Sequence, residues 1–298
     1  MHPASHLCFS RMDLELRHLR AFLAVADEGS FTDAAIALGS SQAAMSRTVA
    51  ALERIVGTAL FRRTTRSLEL TPAGERMLPE ARVLVRQAER VHAAAAGAVR
   101  PLRIGHSWSA LGALTIPVTR SWASAHPDAP LVLEKHNDRT SGLAAGHVDA
   151  AIVRHALTDT AYRSRLVGTE PRVAAVAADD PLAARSTLQL RDLVDATVAV
   201  DRTTGTTRPE LWLEVGLTAA PAMVFTGDVD EWVDRIAAGG VVGISAVSTS
   251  HQYPRAGVRY LPLVDAPALE VRLVWDPQRA HPLTDELGDA LEAAYRSA

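Results

Sequence analysis

The chain has 298 residues, 48% of them hydrophobic and 22% charged, which excludes a disordered or collagen-like protein. This length predicts two domains. No apolar run approaches the roughly 18 residues that a membrane helix needs, and the first residues show no secretory signal. Cys8 is the only cysteine, so an intrachain disulfide is excluded. We therefore expect a cytoplasmic protein with no membrane partner.

The net charge of −3 is distributed unevenly. Residues 1–100 contain 13 arginines against 10 acidic residues, whereas residues 101–298 contain 18 basic against 24 acidic residues. A basic segment on an acidic body is typical of a small polyanion-binding module, although a difference of this size also arises by chance.

The first hundred residues predict a series of helices. Apolar residues recur at helical spacing within 16–23 and 45–56. Ser30 and Asp33 have the spacing of a capping box, which predicts a short helix followed by a turn. Ser41 is a suitable N-cap for the next helix. A short helix, a tight turn and a longer helix form a helix-turn-helix, which we place at about residues 31–50.

A basic segment and a long helix follow. Apolar residues on both sides of the arginines at 62–66 predict a two-stranded wing, and Thr71-Pro72 has the pattern of a helix start. The apolar positions of that helix form a narrow stripe near heptad spacing, typical of a helix that pairs with another, and Pro79 is expected to bend it. We divide this part of the chain into a disordered extension (1–11), a winged helix-turn-helix (12–72) and a linker and dimerisation helix (73–100).

Beyond residue 100, short apolar strands alternate with helical segments in two sets of similar size. Strands are predicted at 102–104, 131–133, 148–153, 173–177, 197–200, 222–225 and 241–244, and helices near 110–125, 138–145, 209–216 and 229–238. Such alternation predicts parallel sheets with crossover helices, in an α/β domain of two Rossmann-like lobes. A ligand is expected in the cleft beyond the carboxyl ends of the strands. We assign residues 101–298 to this domain, with the first lobe at about 101–172 and 270–298 and the second at about 173–269.

Residues 105–109 (Gly-His-Ser-Trp-Ser) resemble the nucleophile elbow of a hydrolase, because they follow a predicted strand. However, Ser109 replaces the last glycine of that motif, and the upstream region is helical. We therefore interpret Ser107 and Ser109 as anion-binding hydroxyls near a helix start. No catalytic residue, cofactor or metal site is predicted. A Rossmann-like enzyme that uses Ser107, and a pure small-molecule binding protein, are the alternatives.

Several linked segments resemble the LysR-type transcriptional regulators. They lie at 14–22, 29–35, 41–47, 60–63 and 70–74. At position 43 this chain has alanine where the family usually has proline, and alanine preserves a helix. The resemblance covers residues 13–298. It implies an N-terminal, mainly-α winged helix-turn-helix, a linker helix and a two-lobed effector domain similar to periplasmic binding proteins.

The second helix of the helix-turn-helix carries groups suited to DNA recognition. Gln42, Ser46 and Arg47 fall away from its apolar residues, and amide, hydroxyl and guanidinium groups near a helix start serve in major-groove recognition. Wing arginines would neutralise phosphates. A solvated helix beside a basic loop is the alternative. The candidate DNA-binding residues are Thr32, Ser41, Gln42, Ser46, Arg47, Arg62, Arg63 and Arg66.

Residues 146–152 are similar to a segment of the family's effector domain, and Arg154 follows at the predicted strand end. In members that bind small carboxylates, an arginine here, a serine after the first strand and polar groups of the second lobe line the pocket. A guanidinium opposite hydroxyls suits a carboxylate, while pairing of Arg154 with a nearby acid is the alternative. The candidate effector-binding residues are Ser107, Ser109, His136, Arg154, Thr203 and Thr204.

These observations predict a sequence-specific DNA-binding transcriptional regulator rather than an enzyme. A small organic effector, of the carboxylate class, is expected to modulate operator binding or activation from the interlobe cleft. The expected partners are double-stranded operator DNA, the effector, further copies of the chain in a homodimer or homotetramer, and RNA polymerase if the protein is an activator.

Overall fold

The computed structural model describes residues 14–63, 68–95, 100–157 and 159–298. The chain divides into two compact units, Met1–Ala98 and Val99–Ala298. The extension expected at residues 1–11 lies outside the described residues, as do residues 96–99 of the expected linker.

The first unit is a helix-turn-helix followed by a wing and a long helix. The hydroxyl of Ser30 caps the second helix by accepting from the backbone N–H groups of Thr32 and Asp33, and Ser41 caps the third by accepting from Ala44 N–H. The long helix continues through Pro79. The elements are α1 (Leu16–Glu28), α2 (Phe31–Ala37), α3 (Gln42–Val56), β1 (Phe61–Arg63), β2 (Leu68–Leu70) and α4 (Pro72–Ala95).

Two side chains attach the wing to the helices. The Glu53 carboxylate accepts from the backbone N–H groups of Leu60 and Phe61, at 2.7 and 3.2 Å. The Thr71 hydroxyl donates to the carbonyl of Ala59, just before β1, at 2.7 Å, and accepts from Gly74 N–H at 3.1 Å, which caps α4. These bonds satisfy backbone groups between α3 and α4 that have no partner in a strand or helix.

The second unit contains two five-stranded sheets, each covered by helices. In chain order its elements are β3 (Leu102–His106), α5 (Thr115–Ala125), β4 (Leu131–Lys135), β5 (Ala150–Val153), β6 (Arg163–Glu170), β7 (Arg172–Ala177), β8 (Thr197–Asp201), α6 (Glu210–Glu214), β9 (Ala222–Thr226), α7 (Val229–Ala237), β10 (Val242–Ala246), α8 (Val247–Gln252), β11 (Val258–Pro262), β12 (Leu269–Trp275) and α9 (Thr284–Arg296).

The strand order is β4-β3-β5-β12-β6 in the first lobe and β11-β7-β10-β8-β9 in the second. The chain crosses between the sheets twice, from β6 to β7 and from β11 to β12. Because of these crossovers, β12 runs antiparallel to β5 and β6, and β7 runs antiparallel to β10 and β11. The predicted fold class is confirmed, but the sheets are mixed rather than parallel, and β6, β11 and β12 are not predicted by the sequence pattern.

The helix predicted near residues 138–145 is wrong. The Asp138 carboxylate accepts from the N–H groups of Thr140 and Gly142, both at 2.8 Å, and from the Thr140 hydroxyl. Ser141 and Gly142 have positive φ values of 50° and 86°. A short acidic side chain that bonds its own following backbone favours turns over a helix.

Gly74, in the first turn of α4, packs against the backbone just before β1. A Cβ atom at this position would stand 2.3 Å from the carbonyl oxygen of Leu60. We therefore expect Gly74→Ala to lower the free energy of unfolding of the first unit by about 1–3 kcal/mol through overpacking. Chemical denaturation followed by far-UV circular dichroism measures this change.

Gly227→Ala is the matched control, because the added methyl would meet only the end of the Glu231 side chain. Equal stability losses in the two variants would contradict the proposed backbone conflict at Gly74.

Candidate functional site

The proposed DNA-binding residues lie on α2, α3 and the wing. On α3, Met45, Val49 and Leu52 are buried, whereas Gln42 and Arg47 are exposed. Thr32 and Ser41 are exposed and Ser46 is half-buried. The Arg62 guanidinium is exposed and pairs with Glu69 at 2.7 Å, which raises the pKa of Arg62. Arg66 and the side chain of Arg63 lie outside what the structure describes.

A cleft separates the two lobes of the second unit at the carboxyl ends of β3, β5, β8 and β10. It contains about 490 Å³ of empty space, part of it open to solvent. Ser107, Ser109, Arg154 and Thr204 line this cleft. The structure therefore brings four of the six candidate effector-binding residues together.

The other two candidates are placed differently among the described residues. His136 is not part of the cleft lining; its ring stacks on His147 with centroids 4.4 Å apart and contacts Glu134 at 3.1 Å. The His136 hydrogen bond and the Arg103 guanidinium lower the pKa of Glu134 to about 2. Thr203 makes two hydrogen bonds through its backbone: its N–H donates to Asp201, and its carbonyl accepts from Arg139.

Arg154 is held inside the protein by four hydrogen bonds. Its guanidinium donates to both carboxylate oxygens of Glu170, at 3.1 and 2.8 Å, and to the carbonyls of Ser109 and Ala110, both at 2.8 Å. Burial disfavours the charge of Glu170, but Arg154 and two hydroxyl donors outweigh this effect and keep its pKa below the usual value. The pair is buried, with side-chain exposures of 10% and 5%.

The expected role of Arg154 needs correction. In the structure Arg154 pairs with an acid, which was the alternative interpretation of this residue. The pair is buried, however, and does not lie at the surface. The guanidinium has no uncompensated charge to offer an effector. The Ser109 hydroxyl is similarly engaged, because it contacts the Ser248 hydroxyl at 2.7 Å.

Two cleft residues that the sequence analysis missed have polar atoms without partners. Asp201 lies at the end of β8 and is buried; its Oδ1 accepts from Thr203 and Thr204, while its Oδ2 has no hydrogen-bond partner. The buried Nε1 of Trp108 also lacks one. An acidic residue at a strand end followed by several threonines was the available sequence signal for Asp201.

Contacts between the lobes close the cleft. The rings of Trp108 and Trp232 meet edge to face with centroids 5.0 Å apart. The Asn137 side chain donates to the carbonyl of Gly227 at 2.7 Å, and the Tyr253 hydroxyl donates to the carbonyl of Trp108 at 3.2 Å. Together these contacts define a narrow cleft between the two lobes.

Gly105, part of the apparent nucleophile elbow, has a packing role. A Cβ atom there would lie 1.8 Å from the Ser141 carbonyl oxygen. The neighbouring His106 is buried, which lowers its pKa to about 4, and its Nδ1 contacts the Trp108 carbonyl at 3.2 Å. The glycine is therefore explained by close backbone approach. Among the described residues, no cluster of three or more His, Cys, Asp or Glu side chains has an arrangement that suits a metal ion.

A winged helix-turn-helix followed by a two-lobed binding domain is the architecture of a DNA-binding regulator with a sensor domain. The family model "Bacterial regulatory helix-turn-helix protein, lysR family" matches residues 16–75, and the model "LysR substrate binding domain" matches residues 95–296. The chain therefore belongs to the LysR family of transcriptional regulators, with a DNA-binding domain and an effector-binding domain.

Relatives and solved structures agree with this assignment. The uncharacterized HTH-type transcriptional regulator YnfL of Escherichia coli (strain K12) is 31% identical over 89% of this chain and 93% of its own length. The small neutral protease regulatory protein of Streptomyces lividans is 32% identical over 95% of this chain and 83% of that protein. The crystal structure of CbnR, a LysR family transcriptional regulator, has a TM-score of 0.72 at 22% identity and covers 95% of this chain and 99% of that one. CbnR has also been solved with its target DNA, and that structure has a TM-score of 0.66 at 23% identity, covering 94% of this chain and all of that one.

None of the helices that the structure describes is both long and apolar enough to span a membrane. The family is one of transcriptional regulators, which favours regulation over catalysis by the effector domain.

The buried pair predicts a large stability effect at Arg154. Arg154→Ala leaves the Glu170 carboxylate buried and without its cation, so we expect the free energy of unfolding to fall by about 3–5 kcal/mol at neutral pH. The difference from the wild type should narrow as the pH falls towards the usual pKa of glutamate, because a protonated Glu170 no longer needs the guanidinium. Denaturant titrations at several pH values measure both effects.

Arg165→Ala is the control, because Arg165 also pairs with two acids, Asp289 and Glu292, but at the surface. Its loss should cost about 0–1 kcal/mol. An Arg154→Ala variant no less stable than Arg165→Ala would refute a structural role for the buried pair.

Proposed function

We propose that this protein regulates transcription by binding double-stranded operator DNA through α3 and the wing, in the cytoplasm, under control of a small organic effector. The observation that carries the DNA-binding proposal is the exposed face of α3. Ser41 caps the helix and its apolar residues anchor it, so Gln42 and Arg47 are presented to solvent on a fixed support. A rigid helix with exposed amide and guanidinium groups suits major-groove recognition.

We propose that α4 mediates a homodimer, from which a homotetramer can be built. Ala81 and Val85 are buried within the first unit, whereas Leu84 and Val91 of the same helix are 48% and 60% exposed. Exposed apolar residues near heptad spacing favour pairing of two such helices. If the protein activates transcription, RNA polymerase is a further partner.

We propose that the effector is a small carboxylate that also carries a hydroxyl or amino group. A buried polar atom without a hydrogen bond costs about 1–3 kcal/mol, so a ligand that reaches both orphaned atoms in the cleft gains affinity. The carboxylate would accept from Trp108 Nε1, and a hydroxyl or amino group would donate to Asp201 Oδ2. Glu170 already compensates the charge of Arg154. An effector acid without a hydroxyl or amino group would therefore lie beside the Asp201 carboxylate with no hydrogen bond to it, which is unfavourable.

Arg47→Ala tests the DNA-binding face. If Arg47 recognises a base, its loss should weaken specific operator binding by about 1–3 kcal/mol and flatten the preference at one position. Arg62→Ala should instead weaken binding to all sequences and reduce the dependence on salt by about one counterion. Fluorescence anisotropy with operator and random duplexes at several salt concentrations separates the two effects.

Arg20→Ala is the control, an exposed arginine on α1. Equal weakening of specific and random DNA by Arg47→Ala would contradict its role in base recognition. The Arg66 contribution to phosphate binding stays a prediction.

A panel of paired acids tests the effector proposal. Each hydroxy or amino acid is compared with its unsubstituted parent by thermal shift and by tryptophan fluorescence, since Trp108 and Trp232 line the cleft. We expect substituted acids to bind more tightly. Trp108→Phe should weaken a binder by about tenfold, the value of one hydrogen bond of roughly 1.4 kcal/mol.

Trp275→Phe, in β12, is the control for the effect that removing one tryptophan has on the fluorescence signal. An equal response to parent acids in the wild type would contradict a donor requirement at Asp201, and unchanged affinity in Trp108→Phe would remove that residue from the site. Operator binding is measured in parallel, so that failure of the effector proposal is separated from failure of the DNA-binding proposal.

A further inference from the structure

A second cavity adjoins the cleft at the crossovers between the two lobes. It contains about 820 Å³ of empty space that is partly open to solvent. It shares Arg154, His155 and residues 205–206 with the cleft, and most of its other lining comes from the crossovers and the start of β12. Its lining has a marked excess of positive charge, with one acid, Glu270, against the four arginines Arg154, Arg172, Arg208 and Arg272.

Arg172 is the arginine whose surroundings are unusual. It is 7% exposed, and its guanidinium donates to neutral oxygens: the Pro267 carbonyl at 2.9 Å, and the hydroxyl and carbonyl of Thr206 at 3.4 and 3.3 Å. The two bonds to Thr206 are long, which leaves the outer edge of the guanidinium weakly bonded. Within the described part of the chain, Arg172 has no carboxylate partner.

The other three arginines of the cavity are compensated by acids. Arg154 is paired with Glu170, Arg208 with Glu214 at 2.5 Å, and Arg272 with Glu270 at 2.8 Å. The acid that attracts Arg172 most, Glu214, is therefore already engaged by Arg208.

Arg172 nevertheless keeps its charge at neutral pH. Burial, reinforced by repulsion from Arg208, lowers its pKa to about 10, which is still well above neutrality. A buried, charged guanidinium without a counterion is unfavourable, and an anion entering from the open side would relieve this.

We propose that this cavity is an anion-binding site for a small free oxyanion of the phosphate or sulfate class, centred on Arg172. The fork of the Arg172 guanidinium matches two oxygens of such an anion. The site differs from the cleft in its ligand, since the cleft presents an orphaned carboxylate oxygen and this cavity presents an uncompensated cation. It does not depend on the identity of the effector.

The position of the site gives it a regulatory consequence. Arg172 and Arg208 belong to the second lobe, and Arg154 and Arg272 belong to the first. An oxyanion bound to Arg172 lies where residues of both lobes line one cavity, so separation of the lobes would open its binding site. Oxyanion binding should therefore stabilise the present arrangement of the lobes and shift the response to any ligand of the cleft.

The test uses the full chain and inorganic phosphate or sulfate as the probe. Thermal unfolding and isothermal calorimetry are measured against sodium chloride of equal ionic strength, for the wild type and for Arg172→Gln, Arg172→Lys and Arg235→Gln. Arg235 is an exposed arginine on α7 and serves as the matched control. We expect saturable binding in the wild type and in Arg235→Gln, a loss of roughly tenfold or more in Arg172→Gln, and partial retention in Arg172→Lys.

Two results would overturn the proposal: no phosphate or sulfate effect beyond that of chloride in the wild type, or equal affinity in Arg172→Gln. If Arg172→Gln does not fold, Arg208→Gln takes its place, because it releases Glu214 to compensate Arg172. Unchanged affinity in this variant would then count against the site, and weakened affinity would support it.

Discussion

The buried ion pair between Arg154 and Glu170 determines how the effector domain is assembled. Glu170 ends β6, immediately before the chain crosses into the second lobe, and its carboxylate also accepts from the hydroxyls of Ser248 on α8 and Tyr295 on α9. A buried carboxylate is tolerated only when its oxygens are bonded, so these partners are held to one position. The pair thereby joins the end of β5, the first crossover and two helices. It fixes the part of the cleft nearest the crossovers.

The same hydrogen bonds determine which polar groups of the cleft lining are already engaged within the protein. Because Glu170 compensates Arg154 and the Ser109 hydroxyl contacts Ser248, the residues that looked most suited to an anion are used within the protein. Among the buried side-chain atoms of the described cleft residues, those without a hydrogen-bond partner are Oδ2 of Asp201, at the end of β8, and Nε1 of Trp108 in the opposite lobe. The two unpartnered atoms thus belong to different lobes, which the contact between Trp108 and Trp232 brings together.

The predictability of each part of the structure follows from the range of its interactions. The DNA-binding unit is specified by local signals: Ser30 and Ser41 cap helices within three residues of themselves. The effector domain depends on distant pairings, since β12 lies beside β5 although more than a hundred residues separate them. β6 alternates poorly between buried and exposed positions, so its pattern did not reveal a strand. Arg154 was placed correctly at a strand end, but its partner Glu170 is brought close only by the sheet, and Asp138 overrode the helical pattern around it through its own hydrogen bonds.

Charge divides the effector domain into two adjoining regions. In the cleft, the pairing of Arg154 leaves Asp201 as the uncompensated group, which favours ligands that bring a hydrogen-bond donor. At the crossovers, Glu214 is engaged by Arg208, which leaves Arg172 as the uncompensated group and favours anions. Each of these two groups is uncompensated because the oppositely charged residue nearby is already paired with another side chain. The residue types alone therefore do not reveal either group. The uncompensated cation is thus carried by the first of the two crossover segments that connect the lobes, and its guanidinium bonds Pro267 of the second.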